Sequence, residues 1–287
     1  MAVARHESGV GAALGALASQ IHPVFMLPPL LASWFGAALA STVTPVVGVV
    51  HMTAMFFAVY TAHVKDGYVD FHLRGEDDDH PLTVGGCRLG LVLSTTGFAL
   101  CCGWLWLAVG LGAALITLPA WLVAYLHAPQ LDMNTVGATV GYPLGIAVAI
   151  LGGYYVQTTG LSGQTLAFAA VFLVLLSGVK VIDDAKDYDY DRSIQKNTVA
   201  VVLGRKRARQ SAHLLISLAL AGVLAGAFLG LFPPSTAVAV FAFGGVALAT
   251  RRLEPRRATE VLMRGSYLFL GLLFLAVLFR PLSWIGV

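Results

Sequence analysis

Charge is scarce in this sequence: only 11% of its 287 residues are charged, against 57% apolar. Soluble domains carry about 25% charged residues, so an ordinary water-facing surface is excluded. No hydrophilic block is long enough to fold alone, which excludes a separate soluble domain and predicts one integral membrane domain over 1–287. The mean hydropathy of +0.79 agrees. Cysteine is also rare. Cys87, Cys101 and Cys102 lack metal-ligand spacing and lie in or beside apolar sequence, so they are expected to pack rather than react. No Ser/His/Asp or Cys/His arrangement suggests a covalent nucleophile. The opening "MAVARHESGVGAALGALASQ" lacks the strong apolar core of a cleaved signal peptide and reads as an interfacial or amphipathic lead-in to the first span.

What the sequence does have is apolar runs. A membrane-crossing helix needs about 20 mostly apolar residues. Runs that meet or approach this length lie near 24–43, 45–63, 89–107, 109–127, 135–156, 161–182, 211–231, 235–250 and 263–280, predicting nine transmembrane helices. The stretch from Leu89 to Leu131 must fold back once, at Gly110 or Gly112. Positive residues stay on the cytoplasmic side. With the N-terminus inside, every Lys and Arg falls on that side except Lys180, within the sixth run, and Arg280. This places the C-terminus outside, in a multi-pass protein of the cell membrane. It also explains the net charge of +3 without nucleic acid as a partner.

The acidic residues gather on the same side. Asp66, Asp70 and Glu76 to Asp79 follow the second run; Asp183, Asp184, Asp187, Asp189 and Asp191 follow the sixth. Asp66 and Asp70 are four apart, as are Asp183, Asp187 and Asp191, so continuing helices would stack carboxylates on one face. Stacked like charges require a cation. Mg²⁺ suits oxygen ligands and is held by carboxylates together with substrate phosphates, so two facing clusters could flank a lipid diphosphate. The plainer reading, solvated loop charge, stays open, most of all for "GEDDDH" at 75–80.

At these residues the sequence resembles the UbiA-type family of intramembrane prenyltransferases. The resemblance implies nine helices, two Asp-rich motifs after spans two and six, and Mg²⁺-dependent transfer of a prenyl group from a polyprenyl diphosphate to a hydrophobic acceptor. "DYDYDRSIQKNTVAVVLG" resembles the second motif, which makes Asp187 and Asp191 metal ligands; Asp183 and Asp184 extend the cluster. The first motif departs from the family's NDxxDxxxD. In "DGYVDFHLR", Asp66 stands for the Asn, Gly67 replaces the first Asp, Asp70 is kept, and Arg74 replaces the last; Glu76 to Asp79 are candidate substitutes. Asp66, Asp70, Asp187 and Asp191 are thus the expected catalytic metal ligands.

Further residues have two readings each. Lys180 either snorkels to the surface or reaches the diphosphate and pairs with the cluster; Lys186 and Lys196 act likewise. Tyr188 and Tyr190 either flank the head group or are ordinary interfacial tyrosines. His22, where the family's first span has the Arg of "RPxN", is either a head-group or acceptor contact or a plain interfacial histidine. Asn134, Tyr142, Tyr154 and Tyr155 are candidates to line the cavity. The rivals are a UbiA-like terpene cyclase, a CDP-alcohol phosphotransferase, whose DGxxAR signature "DGYVDF" does not meet, and a non-catalytic lipid-diphosphate binding or transport protein. Surface charge rather than mid-membrane charge favours an enzyme acting on a lipid head group. Acceptor, chain length and oligomeric state are not legible in the sequence.

Overall fold

A chain segment in hydrocarbon must satisfy its own backbone N–H and C=O groups, and a helix does so within one run of residues. The computed structural model describes residues 2–280, and its long elements are all helical. The one pairing of extended backbone among the described residues is an antiparallel bridge between Ala4 and Leu82. The helices are α1 (Val10–Ala18), α2 (Pro23–Ala38), α3 (Pro45–Gly67), α4 (Val84–Ala108), α5 (Leu111–Leu126) and α6 (Thr135–Thr158). They continue as α7 (Gly163–Asp184), α8 (Tyr188–Ser193), α9 (Val199–Leu203), α10 (Arg205–Phe228), α11 (Thr236–Thr250) and α12 (Pro255–Phe279).

Seven of the described helices are long and apolar enough to cross a membrane by themselves, and the α1–α2 pair, bent by 65°, makes an eighth when taken as one span. The expected ninth is α11, an apolar helix of 15 residues, shorter than a full span. Several helices outrun the apolar segments that announced them. The runs near 211–231 and 263–280 sit in helices that begin at Arg205 and Pro255, inside basic sequence. Hydropathy finds the part of a helix in hydrocarbon; the charged turns beyond it carry no apolar signal. The expected reversal between α4 and α5 falls at Gly110, whose φ of 133° lies outside the usual range for residues with a side chain.

Small residues let helices approach where no hydrophobic force drives them together. A Cβ on Gly36 of α2 would lie 2.1 Å from the Ile150 carbonyl oxygen of α6, and one on Gly153 of α6 would lie 2.0 Å from that of Ser33. The α2–α6 contact is therefore backbone against backbone. Behind it, Phe35, Phe168, Phe172 and Phe269 form the aromatic centre of the main core, with the Phe35 and Phe168 rings 5.1 Å apart and edge to face. This packing leaves a cavity of about 260 Å³ between α2, α3, α5, α6, α7 and α12.

The segments carrying the aspartates do continue their spans, but not as the plain helices that stack residues four apart. From Tyr68 to Arg74 the chain widens into a π-helix. α7 stops at Asp184, and a tight 3₁₀ turn at Ala185–Asp187 precedes α8. The regular helix on which that expectation rests is therefore interrupted in both clusters.

Candidate active site

The cavity is apolar along most of its length, against Met55, Phe172, Leu176 and Val179, and polar at one end, where Asp66, His63, His127, Lys180 and Asp183 meet it. That end lies where α3 and α7 finish, beside the His127–Leu131 turn that extends α5. An elongated apolar molecule with an anionic head fits this division of surface.

In the second cluster the charges are settled locally. Lys180 Nζ lies 3.0 Å from Asp183 Oδ2 and 2.5 Å from Asp184 Oδ1, both within one helical turn. Lys186 Nζ lies 2.6 Å from the other Asp183 oxygen and 3.9 Å from Asp187. Lys180 thus pairs with the cluster, and it also lines the cavity. Asp191 is buried, with Lys196 Nζ 3.7 Å away, whereas the Asp187 side chain is 53% exposed. Asp189 points elsewhere, 2.6 Å from Arg205. Arg205 also covers the Tyr188 ring at 4.6 Å.

The first cluster is settled by its own Arg74 together with a distant acid. Arg74, which stands where the family places an aspartate, binds Asp132 in a fork, at 2.7 and 3.3 Å. It also lies 3.3 Å from Asp70 and 3.6 Å from Glu76. Asp132 is 5% exposed and its side chain 7%. Asp66 meets the cavity wall and makes no ion pair among the described residues. Of the four acids considered as substitutes for the altered motif, Glu76 alone joins this group. Asp77 and Asp78 are exposed, and Asp79 turns away to Arg5 at 3.2 Å and His6 at 3.0 Å.

The structure also accounts for Gly67. A Cβ there would lie 2.4 Å from His80 Nε2, so the imidazole fills the space that the family's aspartate side chain would need. Tyr190, 42% exposed, faces Glu76, Asp70 and Arg74, so α8 reaches across to the first cluster. His22 is exposed at the start of α2, its ring edge-on to His63 at 5.0 Å; it is His63 and Phe25 that reach the cavity. Among the tyrosines and the asparagine proposed for the lining, Tyr142 reaches the cavity. Asn134 instead caps α6, accepting from the Gly137 N–H at 2.8 Å, and Tyr155 packs over Gly112.

Four residues at this end escaped the sequence reading. Asp132 was visible as a lone acid between the clusters, but its partner is 58 residues away. His63 and His127 sit in apolar runs and carried no spacing signal. Lys65 is buried, stacked 3.9 Å over the Tyr125 ring and bonded to the Tyr125 carbonyl and, at 3.3 Å, to Gln130.

Comparison with known proteins places this arrangement. A family model described as the UbiA prenyltransferase family matches residues 26–278. A solved structure concerned with digeranylgeranylglyceryl phosphate synthase in membranes superposes with a TM-score of 0.72 at 12% identity, over 93% of this chain and 98% of that one. A UbiA homologue from Archaeoglobus fulgidus bound to DMAPP and Mg²⁺ gives 0.69 at 15% identity, over 93% and 99%. The apo form of a UbiA homologue from Aeropyrum pernix K1 gives 0.68 at 13%, over 89% and 98%. No curated protein matches the chain. The structural likeness establishes a shared fold, and the sequence model spans nearly all of the chain. This multi-pass membrane protein belongs to the UbiA prenyltransferase family and is a prenyltransferase.

Proposed function

We propose that the whole chain works as one membrane domain that transfers a prenyl group from a polyprenyl diphosphate to a hydrophobic acceptor, with Mg²⁺. The observation that carries this reading is the cavity of about 260 Å³, apolar within and carboxylate-lined at one end. Its walls suit isoprenoid chains, and its polar end suits a metal-bound diphosphate.

The donor set fits Mg²⁺. It consists of carboxylate oxygens, and a buried one, Asp184 Oδ2, has no hydrogen-bond partner. An orphaned buried carboxylate oxygen is costly until a cation or donor meets it. Asp66 and Asp70 from one side, and Asp187 and Asp191 from the other, would hold the ions; Asp183 and Asp184 brace them through Lys180. Bound there, Mg²⁺ neutralises charge on the leaving pyrophosphate. Lys180, Lys186 and Lys196 add fixed positive charge around the diphosphate, and Tyr190 faces the first cluster from α8. Tyr142 and Phe172 present aromatic faces to the cavity, where positive charge on the departing prenyl carbon is stabilised and water is kept out. The basic residues of the loops at this end support a cytoplasmic orientation for it.

The test is Mg²⁺-dependent pyrophosphate release by the purified protein with geranylgeranyl diphosphate and a membrane lipid extract, with products identified by mass spectrometry. Release that disappears in Asp187→Ala, with a lipid heavier by one prenyl unit, supports the reading and names the acceptor. Release with only a rearranged hydrocarbon would replace transfer with cyclisation.

A further inference from the structure

Outside the cavity, on the far side of the first cluster, three side chains of metal-ligand type converge where none of them is needed for prenyl transfer. They are His72 on the π-helical extension of α3, His80 in the loop before α4, and Cys87 in the first turn of α4. One ligand atom from each lies within 4.8 Å of the other two. Cys87 is fully buried and unpaired, and His80 is 5% exposed. His80 Nε2 is buried without a hydrogen-bond partner. The two imidazoles also share one acceptor: His72 Nε2 lies 3.0 Å and His80 Nδ1 3.2 Å from the Leu82 carbonyl oxygen.

From these positions we infer that His72, His80 and Cys87 form a transition-metal site of Zn²⁺ chemistry, which pins the loop before α4 to the segment carrying Asp66 and Asp70. Two imidazoles and a thiolate are a borderline-soft donor set that selects Zn²⁺ over Mg²⁺. With metal–ligand bonds of about 2.0 to 2.3 Å, tetrahedral ligands stand roughly 3.3 to 3.8 Å apart. The three ligand atoms, within 4.8 Å of one another, would be drawn together by a bound ion. The surroundings are built to be held still. Thr83 N–H donates to Val3 C=O at 2.9 Å, Arg5 N–H donates to Pro81 C=O at 2.9 Å, and Arg5 stacks on Phe71 at 4.2 Å. The N-terminal arm is thus strapped over the cluster, and a bound ion would join arm, loop and α3 into one piece.

The site is tested with Co²⁺, whose thiolate ligation gives a near-ultraviolet charge-transfer band that carboxylate sites cannot produce. The full chain in detergent, stripped with chelator, is titrated with Co²⁺, then with Zn²⁺. The expected result is one equivalent of Co²⁺ with that band, displaced by Zn²⁺, unchanged in Asp187→Ala and absent in Cys87→Ser. His72→Gln, at a half-buried position that spares the core, should weaken binding by about tenfold or more. Zn²⁺ should also raise the melting temperature of the wild type and not of Cys87→Ser. No charge-transfer band in the wild type, a band that survives Cys87→Ser, or unchanged Co²⁺ affinity in His72→Gln would overturn the assignment. None of these readouts depends on prenyl transfer.

Discussion

The two acidic segments carry similar numbers of carboxylates and are held in opposite ways. In the second, the cations come from the same stretch of chain: Lys180 and Lys186 reach Asp183 and Asp184 within a turn. In the first, the cation is Arg74, and its best partner, Asp132, belongs to a turn on the other side of α4 and α5. The second cluster is therefore a local device that forms with its helix. The first has local pairs from Arg74 to Asp70 and Glu76, and gains its shortest contact, to Asp132, only when distant parts of the bundle have docked. A motif that departs from its family's pattern can thus keep its acids in place by borrowing one from elsewhere in the fold.

That contrast can be broken at chosen points. The largest effect is expected at the acid that faces the cavity without an ion-pair partner. Asp66→Ala should lower Mg²⁺-dependent pyrophosphate release by about a hundredfold or more, with little change in thermal stability. Retained turnover would remove Asp66 from the metal-holding set.

Lys180→Met should come next, lowering turnover by roughly tenfold to a hundredfold. It strips both Asp183 and Asp184 of their shared cation, and Asp184 is 5% exposed. Raised Mg²⁺ should restore part of the loss, because a mobile cation then replaces a tethered one; a loss indifferent to Mg²⁺ would argue against that role.

Asp132→Asn tests the borrowed acid. Arg74 and Asp132 have side chains 16% and 7% exposed, so removing one charge should cost about 2 to 3 kcal/mol of stability, below the range for a fully buried pair. Turnover should fall through misplacement of Asp70, read as a higher Mg²⁺ requirement. The paired variant Arg74→Met with Asp132→Leu should recover stability without recovering turnover. Coincident recovery of both would show that the Arg74 network does nothing for the site.

The smallest effect is expected within the second cluster itself. Asp189→Asn breaks an exposed contact to Arg205, with Asp189 83% exposed, and should change stability by less than about 0.5 kcal/mol and activity not at all.

Much of this was legible before any coordinates. A chain with 11% charge and repeated apolar runs has few alternatives to membrane helices. Acids crowded at the ends of two spans mark the working face whatever their partners. Legibility failed where the answer depended on packing between distant elements. Spacing alone put Asp183, Asp187 and Asp191 on one continuous helix, and the 3₁₀ turn at Ala185–Asp187 interrupts it. Gly67 read as a lost aspartate until His80 was seen to occupy the space. Cys87 packs as expected, in a small core with Val64 and Leu82, but its nearness to His72 and His80 carried no spacing signal. For His22, read either as a site contact or as an interfacial histidine, the structure shows an exposed side chain, with His63 lining the cavity.

The shortness of α11 reaches beyond the protein. Its 15 residues extend about 22 Å at 1.5 Å per residue, against a hydrocarbon layer of about 30 Å. Phe241 and Leu248 on this helix are 75% and 60% exposed, apolar surface open to lipid. A bilayer crossed by so short a helix would dimple on that flank, drawing head groups inward around one edge of the bundle. Thickness mismatch of this kind costs a fraction of a kcal/mol per ångström, enough to sort the enzyme toward thinner regions of its membrane and to make lipid chain length a variable of its environment.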